Sequence, residues 1–421
     1  MLKLALRNLS RNRWRSGLTA GGIAVATAML IWTEGMNEAF LSEMASSVTA
    51  VELADAQIHA RDYVEERSIF HTFGEDAVPL DRLRALPAID AAAPRVLLFG
   101  LIGNEQRSRV GRLTGVDPAM ELETTRVARS ITDGRWLAGR PARDGEPREC
   151  VLGRTLAGEL KARVGSELVL FLQAADGSLG NDLLEVVGIA RTGNSMLDRA
   201  AIYLHIEDAQ FLGALEGKWH EVALRLDPKT PGAESLAPVK ELLDTAAAPD
   251  EIVLRHWSEI VPDLADMIEL SKRSIWILYG ILYFLAGLCI FNTQRMSAFE
   301  RRREFGVLLA IGVTPRRMAG LIVLETVSLA AIGGLAGVAL GSAITWYHSA
   351  YGLNMGAFTS TGDGSFSYLG VDFAPRLYFR LTPRMAIMPW ATLFALGSIC
   401  GLWPALKSAR IDSVRAIAGR T

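Results

Sequence analysis

Four apolar blocks, each free of Asp, Glu, Lys and Arg, interrupt an otherwise mixed chain. They are Ser16–Thr33, Ser274–Gln294, Thr326–Tyr347 and Met385–Leu406. A helix needs about 20 apolar residues to cross the ~30 Å hydrocarbon core of a bilayer. The pattern therefore predicts four membrane-spanning helices, at 16–33, 274–294, 318–347 and 385–406.

The first block also has features of a signal peptide. Basic residues precede it, and Ala24-Val25-Ala26 is a nominal cleavage motif. However, its strongest apolar run, MLIW at 29–32, lies after that motif. This order favours an uncleaved first span over a cleaved signal peptide.

The 240 residues at 34–273 resemble an ordinary water-soluble domain. Short β-rich runs bounded by Gly or Asp turns predict strands, and two longer periodic stretches predict helices. The predicted strands are Arg95–Ile102, Glu149–Leu152, Glu167–Leu172, Leu184–Ile189, Ala201–Leu204 and Val222–Leu226, and the predicted helices are Thr155–Lys161 and Ile206–Leu215. The predicted fold class is therefore a four-helix membrane protein with a large α+β domain between its first and second spans.

Lys and Arg in the short flanks predict the orientation. Five basic residues and no acid lie in 1–15, six Arg lie in the 295–317 loop, and the 407–421 tail is also basic. Acidic residues such as Glu34 and Glu38 follow the first span. Both termini and the 295–317 loop are therefore expected in the cytoplasm, with 34–273 and 348–384 outside.

Composition agrees with a membrane protein. The 421 residues are 50% hydrophobic and 21% charged, and the net charge of −2 gives no sign of a nucleic-acid partner. The mean hydropathy is +0.22. Cys289 and Cys400 lie in predicted spans, and Cys150 is alone in the outer domain, so no disulfide is expected within that domain.

Two amphipathic stripes flank the outer domain. Met36, Phe40 and Met44 recur four apart, and so do Ile260, Leu264 and Ile268. Each stripe either packs on its own domain or lines a cleft for an apolar ligand; spacing alone leaves both open. The candidate cleft residues are Met36, Phe40, Met44, Tyr279 and Tyr283.

No motif for catalysis or metal binding is present. The sequence has no GxxxxGK[ST] loop, no HExxH or HxxxH spacing, and no CxxC or GxSxG. We therefore expect a non-catalytic subunit without a cofactor or metal of its own.

The segment 292–317, NTQRMSAFERRREFGVLLAIGVTPRR, is the most informative part of the chain. It predicts a helix over Ser297–Ile311, a stop at Gly312, and a new helix with Thr314 as N-cap and Pro315 at N1. We expect this helix to dock a cytoplasmic protein, with Phe305 and Leu308 inserting in a groove of that partner and the charged residues at the rim of the contact. The alternatives are an ordinary basic cytoplasmic loop and a helix whose Phe305 packs back on the spans. The candidate docking residues are Glu300, Arg301, Arg303, Glu304, Phe305, Gly306 and Leu308.

The sequence resembles the FtsX/MacB/lipoprotein-release type of ABC transporter permease. The opening LALRNLSRNRWRSGLTAGGIAVATAML is similar to the family's amphipathic start (1–15) and first span. MSAFERRREFGVLLAIGVTPRRM is similar to its coupling region, and GGLAGVALG to its third span. TGVDPAME, GRWLAG, VLGRTLAGELKARVGSELVL and EVVGIARTGNSMLDRAAIYLHIEDAQ resemble its outer domain, and the last favours the lipoprotein-releasing (Lol) branch.

The resemblance implies the other subunits of a transporter complex. Two permease subunits, identical or different, would bind separate ATPase subunits (LolD/MacB-like) that hold ATP and Mg, and would sit among the lipids of the bacterial inner membrane. The expected function is release of lipoproteins to a periplasmic carrier. Export of periplasmic peptides or amphiphiles, and mechanotransmission to a cell-wall hydrolase, are the alternatives.

Two features of the third span carry expectations of their own. Gly333, Gly337 and Gly341 lie four apart on one face, which predicts close packing against another helix. Glu325 lies one turn inside the predicted cytoplasmic edge. It either reaches the interface or pairs with a basic group, because a lone buried charge is costly.

Overall fold

The computed structural model describes residues 7, 13–143, 145–227, 232–245, 251–355, 366–368, 371–373 and 376–409. The chain divides into two compact units. The helical unit comprises Met1–Leu41, Ile268–Asn354 and Arg376–Thr421, and the sheet unit comprises Ser42–Met267 and Met355–Pro375. Most of the predicted amphipathic start at 1–15, much of the 348–384 loop and the tail beyond residue 409 lie outside the described residues.

The first element with bounds in the described residues is a long helix, α1 (Arg13–Val48), which is followed by a π-helical turn at Thr49–Leu53. The strands that follow are β1 (Ala56–Ala60), β2 (Phe73–Gly74), β3 (Ile89–Gly103), β4 (Ser108–Val116), β5 (Ile131–Gly134), β6 (Arg148–Gly153), β7 (Glu167–Gln173), β8 (Leu179–Ala190), β9 (Ala201–His205), β10 (Lys218–Trp219), β11 (Glu221–Leu226) and β12 (Ile252–His256). The helices among them are α2 (Leu80–Arg84), α3 (Pro118–Thr124), α4 (Arg154–Leu160), α5 (Ser195–Ala200), α6 (Ile206–Gly213), α7 (Ala237–Asp244) and α8 (Trp257–Ile260).

The remaining elements are α9 (Pro262–Glu300), α10 (Arg302–Ala310), α11 (Pro315–Tyr351), β13 (Leu353–Asn354), β14 (Phe366–Tyr368), β15 (Val371–Phe373), β16 (Arg376–Leu377) and α12 (Pro383–Ala409). Four of the described helices are long and apolar enough to cross a membrane, namely α1, α9, α11 and α12. Each contains one of the four predicted spans, and the prediction of four membrane helices is confirmed.

One mixed sheet organises the sheet unit. Its strand order is β12-β1-β11-β3-β4-β9-β6-β8-β5, with β7 joined to both β3 and β8. Most pairs are antiparallel, but β4 with β9 and β6 with β8 are parallel. The six predicted strands all lie within observed strands, and the prediction of an α+β domain is confirmed.

Alternation along the strands explains how the sheet is covered. On β3, Val96, Leu98 and Ile102 point into the main core, which also contains side chains of α4 and α6. A smaller apolar cluster, with Val116, Val151 and Tyr203, covers part of the opposite face. The side chains between them on β3 are only partly covered or exposed, which leaves the second face incompletely packed.

Small residues bring the long helices of the helical unit together. A Cβ atom on Gly334 would lie 2.4 Å from the Trp390 ring, and one on Gly401 would lie 2.8 Å from the Thr326 hydroxyl. These contacts join α11 to α12 in antiparallel fashion. Because a side chain at either glycine would collide, the close approach of the two helices depends on them.

Candidate functional site

The connector helix α10, between α9 and α11, differs from its prediction. The sequence pattern predicts one helix over 297–311. In the structure, Ser297–Glu300 are the last turn of α9, and a turn at Arg301 separates α9 from α10. The single predicted helix is therefore wrong at its start. Its end agrees: Gly312 adopts a φ of +96°, a conformation open to glycine, and Thr314 holds the N-cap position of α11 without a side-chain capping bond.

Phe305 does not face outward. Its ring is 1% exposed and packs in a cluster with Met318, Ile322 and Ala405, with Leu308 at its edge. Gly306 is also buried. Of the two expectations for Phe305, the structure gives the one in which it packs back on the spans, because its side chain anchors α10 to α11 and α12. Leu308 is only partly covered, and its insertion in a partner stays a prediction.

An ion pair fixes the break before α10. Arg301 Nη1 donates to both carboxylate oxygens of Glu325, at 2.8 and 3.1 Å, and its Nε donates to Glu304 at 3.1 Å. Its guanidinium also lies 5.2 Å from the centre of the Phe305 ring. Of the two expectations for Glu325, the structure gives the paired one, and Arg301 is a positioning residue rather than a rim contact.

The exposed face of α10 is different from the predicted one. Arg303, Val307 and Ile311 follow one another at intervals of four and are exposed, with Val307 at 46% and Ile311 at 72%. Glu300 and Glu304 are exposed beside them. The surface that α10 offers to another molecule is therefore a charged edge around two branched apolar side chains.

The three glycines of the third span lie against the first. A Cβ on Gly333 would be 2.7 Å from the Ala20 carbonyl, one on Gly337 2.6 Å from that of Ala24, and one on Gly341 3.0 Å from that of Ala28. Both series advance by four residues, so α1 and α11 run parallel along this seam. The structure brings all three predicted positions together in one helix contact.

The five candidate cleft residues do not form one open surface. Tyr279 is 7% exposed and clusters with Leu30 and Leu393, and Met44 is 2% exposed. Met36, Phe40 and Tyr283 are only partly exposed. Tyr279 and Met44 therefore offer little exposed surface to a ligand, and the cleft stays a prediction.

A buried polar cluster in the sheet unit was not predicted. Arg95 is 4% exposed; it donates from Nη2 and Nε to Glu121 at 2.6 and 3.0 Å and from Nη1 to Glu221 at 2.9 Å. Arg112 pairs with Glu52 beside them. Charged residues at inward positions of apolar strands were the available signal, since isolated buried charges must be paired.

The described part of the chain includes side chains of the types found in metal-binding and thiol sites. No group of three or more His, Cys, Asp or Glu side chains there could hold a metal ion. Cys150 is free and fully buried, and burial raises the pKa of its thiol. The features that stand out are therefore contacts and charges rather than a nucleophile or a metal centre.

Comparison with known families gives these features a context. The chain matches the MacB-like periplasmic core domain over residues 18–242 and the FtsX-like permease C-terminal region over residues 276–412. The chain is an ABC transporter permease of the MacB, LolC and FtsX type. These relatives and the four apolar helices imply a protein of the inner membrane.

Individual relatives of this permease divide between two named systems. The lipoprotein-releasing system transmembrane protein LolC of Neisseria meningitidis is 24% identical over 61% of this chain and 61% of its own length. LolC of Xylella fastidiosa is 21% identical over 94% of this chain and 92% of its own. The macrolide export ATP-binding/permease protein MacB of Rhodospirillum rubrum is 25% identical over 99% of this chain. The permease spans about 60% of the length of the Neisseria LolC and Rhodospirillum MacB proteins.

Solved structures with some likeness to this permease are isolated domains. The periplasmic region of MacB from Actinobacillus actinomycetemcomitans has a TM-score of 0.38 and 11% identity, covering 50% of this chain and 93% of that one. The extracellular domain of the transporter YknZ from Gram-positive bacteria has a TM-score of 0.33 and 12% identity, covering 48% and 98%.

Proposed function

We propose that this permease subunit transmits ATP hydrolysis by a separate cytoplasmic ATPase to its periplasmic domain, and that the work releases lipoproteins from the inner membrane. The ATPase holds ATP and Mg, and the permease acts as a homodimer or heterodimer that hands its cargo to a periplasmic carrier. Lipoprotein release is supported by the similarity to LolC of Neisseria and of Xylella, and by the resemblance of EVVGIARTGNSMLDRAAIYLHIEDAQ to the lipoprotein-releasing branch.

The observation that carries the coupling role is the attachment of α10. A helix can transmit a force to the membrane spans only if it is held in a fixed orientation relative to them. Phe305 holds one side of α10 in an apolar cluster, and Arg301 ties its start to Glu325 of α11. The opposite face, with Val307 and Ile311, stays free to contact another protein. Displacement of α10 therefore moves α11.

Two variants on opposite faces of α10 test this role. Val307→Glu places a charge at the exposed contact, so the ATPase subunit should co-purify about tenfold less while the melting temperature of the permease is unchanged. Phe305→Ala should lower the stability of the permease by about 3 kcal/mol, because a buried aromatic ring leaves a cavity. Normal ATPase recovery with Val307→Glu would place the docking surface elsewhere.

The cargo is tested separately, in proteoliposomes containing the permease, its ATPase and a fluorescent acylated lipoprotein. Addition of ATP and a periplasmic carrier should move the lipoprotein into the soluble fraction. A matched protein without the acyl chains is the control. If the assembly hydrolyses ATP but releases no lipoprotein, the lipoprotein cargo is contradicted. The coupling role is not affected by that result, because the α10 variants test it separately.

A further inference from the structure

A small cavity opens on the second face of the sheet, away from the main core. Its volume is about 50 Å³, enough for a few water-sized groups. Gln57 and His59 of β1 form one wall, and Thr114 of β4 forms another. Phe99 lies at its edge, and all lining residues belong to the sheet unit.

Several polar atoms in this cavity have no partner among the described residues. They are Gln57 Oε1, both ring nitrogens of His59 and Thr114 Oγ1. The three side chains belong to residues that are 1%, 2% and 4% exposed. The nearest acid, Glu221, lies 4.0 Å from His59 Nδ1, which is beyond hydrogen-bond distance. Buried polar groups are normally hydrogen-bonded, so this cluster indicates a missing partner.

The charges around the cavity define what that partner is. Arg95 and Arg112 are paired with Glu121, Glu221 and Glu52. Arg67 stands exposed at the rim. Burial lowers the pKa of His59, so its ring is neutral and offers one donor and one acceptor. Arg67 lies in solvent, where its charge is screened, and the buried atoms left open are those of neutral amide, imidazole and hydroxyl groups. Inside the cavity these atoms complement a hydroxyl or amide rather than a phosphate.

An exposed apolar strip begins where the cavity ends. Leu97 and Phe99 of β3 line the cavity, and Leu101 continues the same face two residues further, about 7 Å along the strand. Leu101 lies directly between Val110 of β4 and Phe171 of β7. Their exposed fractions are 50% for Phe99, 42% for Leu101, 70% for Val110 and 52% for Phe171.

Such a row of large apolar side chains is unusual on a surface and marks a binding site. Protein interfaces of standard size use about 20–30 residues a side. The same face continues at Val169, 38% exposed, and Leu183, 36% exposed, beside Phe171. These six apolar side chains are far fewer than a protein interface uses, and a surface of this size next to a small polar cavity matches a hydrocarbon chain with a small head.

We propose that the sheet unit binds an amphiphile here, with a hydroxyl- or amide-bearing head against Gln57, His59 and Thr114 and a hydrocarbon arm over Phe99, Leu101, Val110 and Phe171. This binding goes beyond the coupling role and requires neither ATPase nor nucleotide. A failure of one proposal therefore leaves the other standing.

The test uses the full chain in lipid nanodiscs and a long-chain alkanol with a diazirine on its alkyl chain, whose single hydroxyl is small enough for the cavity. After irradiation, mass spectrometry measures labelling of peptides from β3, β4 and β7. We expect saturable labelling that the unlabelled alkanol displaces. An alkyl phosphate probe with the same diazirine should label these peptides about fivefold less, because the cavity offers neutral partners.

Two variants and a control locate the site. Leu101→Asp should abolish saturable labelling, and Thr114→Val, which keeps the side-chain volume, should raise the half-saturating concentration about 3- to 10-fold. Met196→Asp changes an apolar residue, 74% exposed, on α5 and should leave labelling unchanged. Melting curves for all three variants should match the parent chain.

Three results overturn the proposal. They are labelling that does not saturate, labelling that survives Leu101→Asp, and equal labelling by the phosphate probe. A change of oligomeric state in Leu101→Asp with unchanged labelling also overturns it, and assigns the strip to a contact between copies of the chain.

Discussion

Ion pairs of buried or partly buried residues connect separate secondary-structure elements of this permease. Arg301 and Glu325 meet where two helices join, with side chains 16% and 13% exposed, and Arg95 holds Glu121 and Glu221 inside the sheet unit. In each case the partners come from different elements. Removing one member strands the other in a poorly solvated position, so these residues affect stability more than surface charges do.

We expect Glu325→Gln to lower the stability of the helical unit by about 2 kcal/mol, because Arg301 loses its main partner. Glu269→Gln is the control, since it breaks an exposed pair with Arg273 on α9 and should cost less than about 0.5 kcal/mol. Denaturation in mixed micelles measures both. The double variant Arg301→Glu/Glu325→Arg should recover part of the lost stability. Equal losses of stability in Glu325→Gln and Glu269→Gln would contradict a stabilising role of the Arg301–Glu325 pair.

A second residue-scale prediction concerns pH. His220 Nδ1 accepts the Leu97 N–H at 3.1 Å, Nε2 donates to the Ile69 carbonyl at 3.2 Å, and burial lowers the pKa of His220 to about 4. Between about pH 6.5 and 4, the unfolded chain binds a proton that the folded chain does not. Stability is therefore fully present above pH 6.5 and falls on acidification, by up to about 3 kcal/mol.

Guanidinium unfolding of the full chain at a series of pH values measures this slope. His220→Gln should reduce it by close to one proton in the window from pH 6.5 to 4.5. Some slope should remain, because burial also lowers the pKa of His59. If the variant and the parent have the same slope, His220 is not the source.

The sequence predicted the positions of the helices and strands better than which face of each helix packs against the rest of the protein. The apolar period identified a helix after the second span, but α10 has apolar side chains on two sides, Phe305 and Leu308 on one and Val307 and Ile311 on the other. Spacing cannot decide which side meets the spans. That choice depends on Met318, Ile322 and Ala405, which no local pattern connects to α10.

The seam between α1 and α11 gives a prediction at the scale of elements. Gly337→Ala should destabilise the helical unit by about 1–3 kcal/mol, since its Cβ would lie 2.5 Å from the Thr27 Cβ and 2.6 Å from a backbone oxygen. Gly337→Leu should be worse. Gly320→Ala on the same helix meets no atom within 4 Å, and should be neutral or stabilising by up to about 1 kcal/mol. Equal melting temperatures for the two alanine variants would argue against a tight seam.

For the whole molecule, the order of elements along the chain was accessible from sequence and the cavity was not. Long charge-free runs and alternating strands are local signals, so spans and strands were found. Gln57, Thr114 and Glu221 meet only because β1, β4 and β11 belong to one sheet, and their polar atoms lie at separations that no sequence motif encodes.

The proposed division of labour predicts that the purified chain hydrolyses no ATP, because it has no phosphate-binding loop. Hydrolysis should appear only when a separate ATPase subunit is added. Phosphate release by the chain alone, by the ATPase alone and by the mixture measures this. Turnover by the chain alone at the rate of the mixture, in material free of other proteins, contradicts the division.

The α1–α11 seam also has a consequence for biosynthesis. Ala20 is made long before Gly333, and at about 5–20 residues per second the interval is roughly 15–60 s. The first helix is also the least apolar of the four, with a mean hydropathy of 1.4 over its best window against 2.0 for α11. Its alanine face therefore stays uncovered by α11 in the bilayer while the ribosome makes Ser42–Met267, the larger part of the sheet unit.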